Sequence, residues 1–429
     1  MPVAQIELGT PTEIAAYDSS SACVLVTLAK PAEVAVIDVS DVLAPREVRR
    51  IGFRDIGPTI NSVACHDGIC VVALNAEPST DPGSVVFFDI EGTRSHTVRV
   101  GAMPDMVTFT PDGKHVLTAN EGEPADGIDP DGSVSVIDLF NYTVRTIELS
   151  HVTGPVPVTW LTDPADAPAS LIEPEYIAVA PDSSVAYVVC QENNAVAVVD
   201  IESGKLLSWH PLGTEVVGDI LALRQPDTII AFETPDGLRV VTANEGDPRD
   251  EWGADGTAEY QGIEVVASSL AKDGIPIRFG TQSISLYDAS IGLLDDSRDA
   301  FVREIESMRD RGIIDKHTAK TIAKRDGKRG VEPEGLAHTR ISETEHIFVG
   351  LERAGMIAHF ACGAPYTKLE FVEIVQIETP VPDGDLASPE GLLVLPSRES
   401  SPPTLVVTDE VHGTVTFFAI TEGEPTSTP

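Results

Sequence analysis

No apolar run in this chain approaches the roughly 20 residues needed to span a bilayer, which excludes a helical membrane span. The first ten residues, MPVAQIELGT, hold neither a basic n-region nor an apolar h-region. As written, the chain is expected to be soluble, without an export signal, and its compartment stays open. Basic residues are scarce. Lys and Arg number 29 against 68 Asp and Glu, a formal net charge of −39. That imbalance excludes nucleic acid and anionic membrane surfaces as partners. It suits a cation-binding surface or a high-salt habitat, and part of it is a solubilising coat. Cysteines are few and odd in number, at positions 23, 65, 70, 190 and 362, so no disulfide framework is built. In Cys65-His66-Asp67-Gly68-Ile69-Cys70, Asp67-Gly68 reads as a two-residue hairpin turn that sets Cys65 opposite Cys70. The pair is either a cross-strand disulfide or two small buried thiols. The ten His form no HExxH or His-x-His array, which argues against a zinc site. GxSxG, Walker A and Rossmann fingerprints are also lacking.

What is present is a repeat. Seven prolines, Pro11, Pro58, Pro104, Pro174, Pro226, Pro333 and Pro389, each run into a short apolar strand. In five, the next residue is Asp105, Glu175, Asp227, Glu334 or Glu390, and Glu13 stands two after Pro11. In the third copy, Pro104–Phe109 is a strand, Pro111-Asp112-Gly113 a turn, and His115–Ala119 a second strand. Ser133–Leu139 and Thr143–Leu149 supply two more. Such four-stranded repeats predict an all-β fold, a seven-bladed β-propeller of four-stranded antiparallel blades. One domain is expected over 1–420, with blades starting near 11, 58, 104, 174, 226, 333 and 389. Residues 421–429 form a polar tail. The seventh unit has only three strands, so Val3–Leu8 is expected to complete it and protect its edge. Insertions fall at about 155–172, 247–280 and 289–331. In the last, Phe301, Ile305 and Met308 recur at helical spacing, and a second short helix is read over Asp315–Lys324. Insertions of this length commonly build a lid or a binding wall.

In an antiparallel blade the start of strand one and the end of strand two share an edge. The Pro-acid starts should therefore converge with the loops that follow each second strand. Those loops are acidic too: Asn120-Glu121-Gly122-Glu123, Gln191-Glu192-Asn193-Asn194, Asn244-Glu245-Gly246-Asp247-Pro248-Arg249, Glu352-Arg353 and Asp409-Glu410. Each alone is ordinary turn chemistry. Together they read as one acidic rim whose carboxylates need neutralising. Ca²⁺ or another hard divalent cation would do this through Glu121, Glu175, Glu245, Asp247, Glu390 and Glu410. Arg249, Arg353 and Glu334 are the candidate catalytic residues, with Asn120, Asn244 and Glu352 candidates for substrate binding. The Asp closing third strands (Asp38, Asp89, Asp138, Asp200, Asp288) belongs on the opposite face as a turn cap. Asp126-Gly127-Ile128-Asp129-Pro130-Asp131-Gly132 lacks the spacing and terminal Glu of an EF-hand.

The stretch PDMVTFTPDGKHVLTANEGEPADGIDPDGSVSVIDL (104–139) resembles the choice-of-anchor I family of propeller proteins. So, in order, do 173–206, VVTANEGDPRD (240–250), EPEGLAH (332–338), FVGLERAG (348–355), SPEGLLV (388–394) and TDEVHGTVTFF (408–418). The 173–206 stretch is also similar to YVTN-type repeats. The family includes proteins labelled alkaline phosphatase-like or mesenchyme-specific cell-surface glycoprotein-like. The resemblance implies a seven-bladed propeller, an extracytoplasmic or cell-surface setting, and a phosphoesterase activity; joined with the acidic rim it gives a metal-assisted phosphoesterase acting on a small phosphoester. Two stretches depart from the family pattern: Gln282-Ser283-Ile284-Ser285, where members carry Arg-Ser-Phe-Ser, and Arg325-Asp326-Gly327-Lys328-Arg329-Gly330, where they carry Arg-Ser-Asp-Asp-Lys-Gly. With no identifiable nucleophile, a non-catalytic scaffold for a protein or glycan ligand is the alternative. A lactonase-like hydrolase rests on the YVTN similarity alone.

Overall fold

Strands flanked on both faces become continuous apolar runs, and strands at an open edge alternate. This chain shows both patterns within each repeat. Cys23–Leu28 is buried throughout, whereas Arg46–Gly52 buries only Ile51. The computed structural model describes residues 2–149, 172–247, 257–267, 275–325, 328–378, 385–398 and 402–421. Seven of its sheets have four strands and are antiparallel throughout. The first strands of these seven are Ala15–Asp18, Ile60–His66, Pro104–Phe109, Ile177–Val179, Thr228–Thr234, Pro333–Ile341 and Pro389–Leu395. Each begins at, or within four residues after, one of the seven prolines. The first strands pack in cyclic order, and the last lies against the first, so the sheets surround a common axis as in a β-propeller. The seventh sheet is completed from the other end of the chain. Pro2–Glu7 pairs antiparallel with Thr414–Ala419, as expected for Val3–Leu8. Closure is reinforced by Thr12, whose hydroxyl donates to the carbonyls of Asp409 and Thr414. Deleting residues 1–8 strips the outer strand from this sheet. A lower melting temperature and concentration-dependent association are expected, by thermal melt and size-exclusion chromatography. An unchanged melt and elution would show the strand to be dispensable.

An eighth sheet departs from the sequence reading. It has five strands, Thr214–Val217, Ile220–Leu223, Ile277–Arg278, Ile263–Val266 and Thr257–Tyr260. Leu221 pairs in parallel with Ile277. It joins the segment before the fifth repeat to the insertion inside it, a pairing that local pattern does not announce. The other insertion forms helices Ala300–Asp310 and Lys316–Ala323, with Phe301, Ile305 and Met308 buried. Asp315 caps the second by accepting from the Thr318 amide at 2.7 Å. The insertion read at 155–172 lies outside the described residues, except Ile172, as does part of 247–280. Cys65 and Cys70 stand directly opposite each other as free thiols. All five third-strand Asp accept backbone amides two to four residues on, as turn caps.

Candidate functional site

The site is made by one local device, repeated. The residue before the proline presents its carbonyl to the first residues of the loop after strand two. The amides of Glu121, Gly246, Glu352 and Glu410 donate to the carbonyls of Met103, Gln225, Glu332 and Ser388 at 2.9 to 3.1 Å. In three of these repeats the pre-proline residue is left-handed: Met103, Gln225 and Glu332 have φ of 45°, 44° and 50°. The Pro-acid start and the acidic loop are thereby tied together in these four repeats. Beyond the proline, the ladder shifts register between Pro104 and Met106, Pro333 and Leu336, and Pro389 and Leu392. These bulges take Asp105, Glu334 and Glu390 out of the pairing. The glycine of each Pro-Glu-Gly lets the next repeat approach. A Cβ on Gly335 would sit 2.2 Å from the Glu390 carbonyl oxygen, and one on Gly391 2.4 Å from that of Glu13.

The result is a cavity of about 390 Å³ lined by Glu13, Asp105, Glu121, Glu123, Glu173, Glu175, Gln191, Glu192, Asp227, Glu245, Asp247, Arg329, Glu334, Glu352, Arg353, Glu390 and Glu410. Fourteen carboxylates therefore face two guanidinium groups. Below the mouth, a channel of about 170 Å³ shares Glu13, Asp105, Asp227, Glu334 and Glu390 with it.

Of the residues singled out from sequence, Glu121, Glu175, Glu245, Asp247, Glu334, Glu352, Arg353, Glu390 and Glu410 meet in this one cavity. Asn120 and Asn244 do not. Both are completely buried, and their amides hydrogen-bond Ser133 and Ser135, and Ser283 and Ser285. Their carbonyls accept from Thr118 and Thr242 at 2.8 Å. They brace the ends of second strands and offer nothing to a substrate. Arg249 lies outside the described residues. Sequence reasoning passed over Glu332 and Arg329. Glu332 is fully buried, and three arginines converge on it. Arg353 Nε is 3.0 Å from its Oε2, Arg329 Nε is 3.7 Å from its Oε1, and Arg325 pairs with Oε1 as well. The visible signal was the recurrence of Glu-Pro-Glu at 173–175 and 332–334.

The carboxyl groups respond to this crowding. Burial first, then neighbouring carboxylates, pushes Glu13 and Asp105 up to about 7 and Glu390 up to about 8. Burial likewise raises Glu352 to about 7, with Arg353 and the Ser388 hydroxyl opposing it. Glu121, Glu175, Glu245 and Glu334 are raised well above the carboxylate range for the same primary reason. Among the described residues, two groups of three bring one oxygen per residue within 4.8 Å of one another: Glu245, Glu332 and Glu352, and Glu334, Glu352 and Glu390. In the first group three arginines meet Glu332, and Arg353 also pairs with Glu352, which both groups share. In the second, the three carboxyls crowd one another, and after burial that mutual repulsion raises Glu334 and Glu390. Glu334 Oε2 and Glu175 Oε2 are buried without a hydrogen-bond partner.

This arrangement sits on a recognised scaffold. The sequence matches the choice-of-anchor I domain over residues 13–273 and 266–365. The chain belongs to the choice-of-anchor I domain family. No curated protein matches its sequence. Among solved structures, this choice-of-anchor I domain is similar to Kuenenia stuttgartiensis hydrazine synthase, with a TM-score of 0.57 and 13% identity over 98% of each chain. It is also similar to the β-propeller domain of Myceliophteria thermophila Cps50 (Swd1), with a TM-score of 0.53 and 11% identity. That match covers 97% of this chain and 98% of the other. At such identities the likeness speaks to the fold alone. No described helix is long and apolar enough to cross a membrane.

Proposed function

We propose that the choice-of-anchor I domain is a cation-dependent binding scaffold, with a divalent ion held at the mouth by Glu334, Glu352 and Glu390. We read its seven four-stranded sheets as seven blades and the five-stranded sheet as an accessory. The observation that carries the reading is a carboxylate trio within 4.8 Å whose buried Glu334 Oε2 is left without a hydrogen-bond partner. The trio offers oxygen ligands only, which favours a hard ion such as Ca²⁺ over zinc. The other trio is less suited, because Arg325, Arg329 and Arg353 already neutralise Glu332, whereas in the preferred trio the arginine pairing falls on Glu352, with Arg353 at 2.5 Å. The family's extracytoplasmic or surface setting fits this ion, since extracellular calcium modules work at about 10⁻⁴ to 10⁻³ M.

The test is calorimetric. Ca²⁺ should bind and raise the melting temperature, and Glu334→Gln should weaken binding by about tenfold or more through lost ligand charge. Equal affinity in the variant would remove Glu334 from the site. Because a cation displaces protons here, binding should tighten as pH rises through 7 to 8, the range of Glu352 and Glu390.

Phosphoester hydrolysis is the second reading of the same site. It needs the cation loaded first, because Arg353 and Arg329 are both committed to carboxylates. Calcium-dependent turnover of a generic phosphomonoester, lost in Arg353→Ala, would establish it in place of the non-catalytic reading.

A further inference from the structure

In the channel, apolar side chains stand among the carboxylates. Met106, Tyr176, Leu336 and Leu392 line it together with Glu13, Asp105, Asp227, Glu334 and Glu390. A hydrated metal ion gains nothing from methylene and aromatic walls. An alkyl chain ending in a positive charge gains from both kinds of wall at once. Its methylenes would lie against Met106, Leu336 and Leu392, and its charge would gain from the aromatic ring of Tyr176. A second feature points the same way. Glu175, next to Tyr176 and 7% exposed, lines the mouth with Oε2 buried and unpartnered. An ammonium group brings three donors to such acceptors.

We propose that the channel and the mouth above it bind aliphatic primary amines, whether a free polyamine or a lysine side chain of a polypeptide. The site shares its anionic mouth with the divalent-cation reading, but its selectivity comes from the channel wall. The ammonium is held among carboxylates, and the alkyl chain occupies the channel.

The experiment is calorimetry on the full chain at fixed ionic strength. The probes are ethylammonium, propylammonium and butylammonium, then 1,4-diaminobutane and Nα-acetyl-lysinamide, with Ca²⁺ titrated separately. Affinity should rise roughly fourfold for each methylene buried. Leu392→Asn should flatten that series while leaving the Ca²⁺ response unchanged, and Tyr176→Phe should preserve it. If Leu392→Asn does not fold, Met106→Gln serves instead. Tighter binding of diaminobutane supports a free polyamine as the ligand, and tighter binding of the lysinamide supports a polypeptide side chain. Amines that do not bind, an affinity independent of chain length, or a series still steep in the folded variant would overturn the proposal. Ca²⁺ binding without amine binding sinks this inference alone. Amine binding without Ca²⁺ binding sinks the divalent-cation reading alone.

Discussion

In chelator, the free energy of unfolding is expected to fall by several kcal/mol as pH is raised from about 5 to about 8, and Ca²⁺ is expected to restore it. The sign follows from the mouth carboxyls. Glu13, Glu352, Asp105 and Glu390 lose protons near 7 to 8 in the folded chain, but near 4 to 4.5 when unfolded. Between those limits the folded state binds more protons than the unfolded state, so stability declines with rising pH. Below the unfolded value their contribution is intact, and above the folded value it is gone. At about 1.4 kcal/mol per tenfold difference in proton affinity, a few such groups account for the size of the effect. Under the proposed reading calcium should reverse it, because an ion held by carboxylates would take the place of the protons. Urea denaturation from pH 5 to 8, with and without Ca²⁺, measures both halves. A flat profile in chelator would mean that the mouth carboxyls are not coupled to folding. A falling profile that Ca²⁺ leaves unchanged would retain the crowding and remove the ion.

The second large effect is expected at Glu332. Replacing it by Gln should destabilise the fold by about 3 kcal/mol, because a buried charge network loses its central partner. Glu332 is fully buried, and Arg325, Arg329 and Arg353 all converge on it. Arg325 and Arg329 lie on the return from the helical insertion, so the same change should loosen the insertion from the mouth. Proteolysis around 324–331 should accelerate in the variant more than cleavage elsewhere. Unchanged urea midpoints would mean that the arginines find equivalent partners among the other carboxylates.

Much of this could be read along the chain. Each of the seven prolines stands at or just before the first strand of a four-stranded sheet, because proline suits the start of a strand. The closing strand and the two helices were legible for similar reasons: an unpaired edge demands a partner, and Phe301, Ile305 and Met308 share one helical face. Convergence of the acidic residues was legible too, since strand-one starts and strand-two ends share an edge in any antiparallel blade. The roles of Asn120 and Asn244 were not. Sequence shows that they close second strands, but their burial depends on Ser133, Ser135, Ser283 and Ser285 of the adjoining third strands. The five-stranded sheet was hidden because Leu221 and Ile277 are far apart in sequence and their strands are short.

By itself, then, the sequence determined the repeat, its register and the excess of carboxylates at one edge. Those depend on local rules of proline, turn and alternation that act within a few residues. Only the tertiary structure decided which carboxylates are neutralised by arginine and which crowd against other carboxylates. That depends on distances between different repeats. Glu332 meets Arg325, Arg329 and Arg353, while Glu334 meets Glu352 and Glu390. These two glutamates stand two positions apart around one proline, yet the packing of neighbouring sheets gives them opposite surroundings.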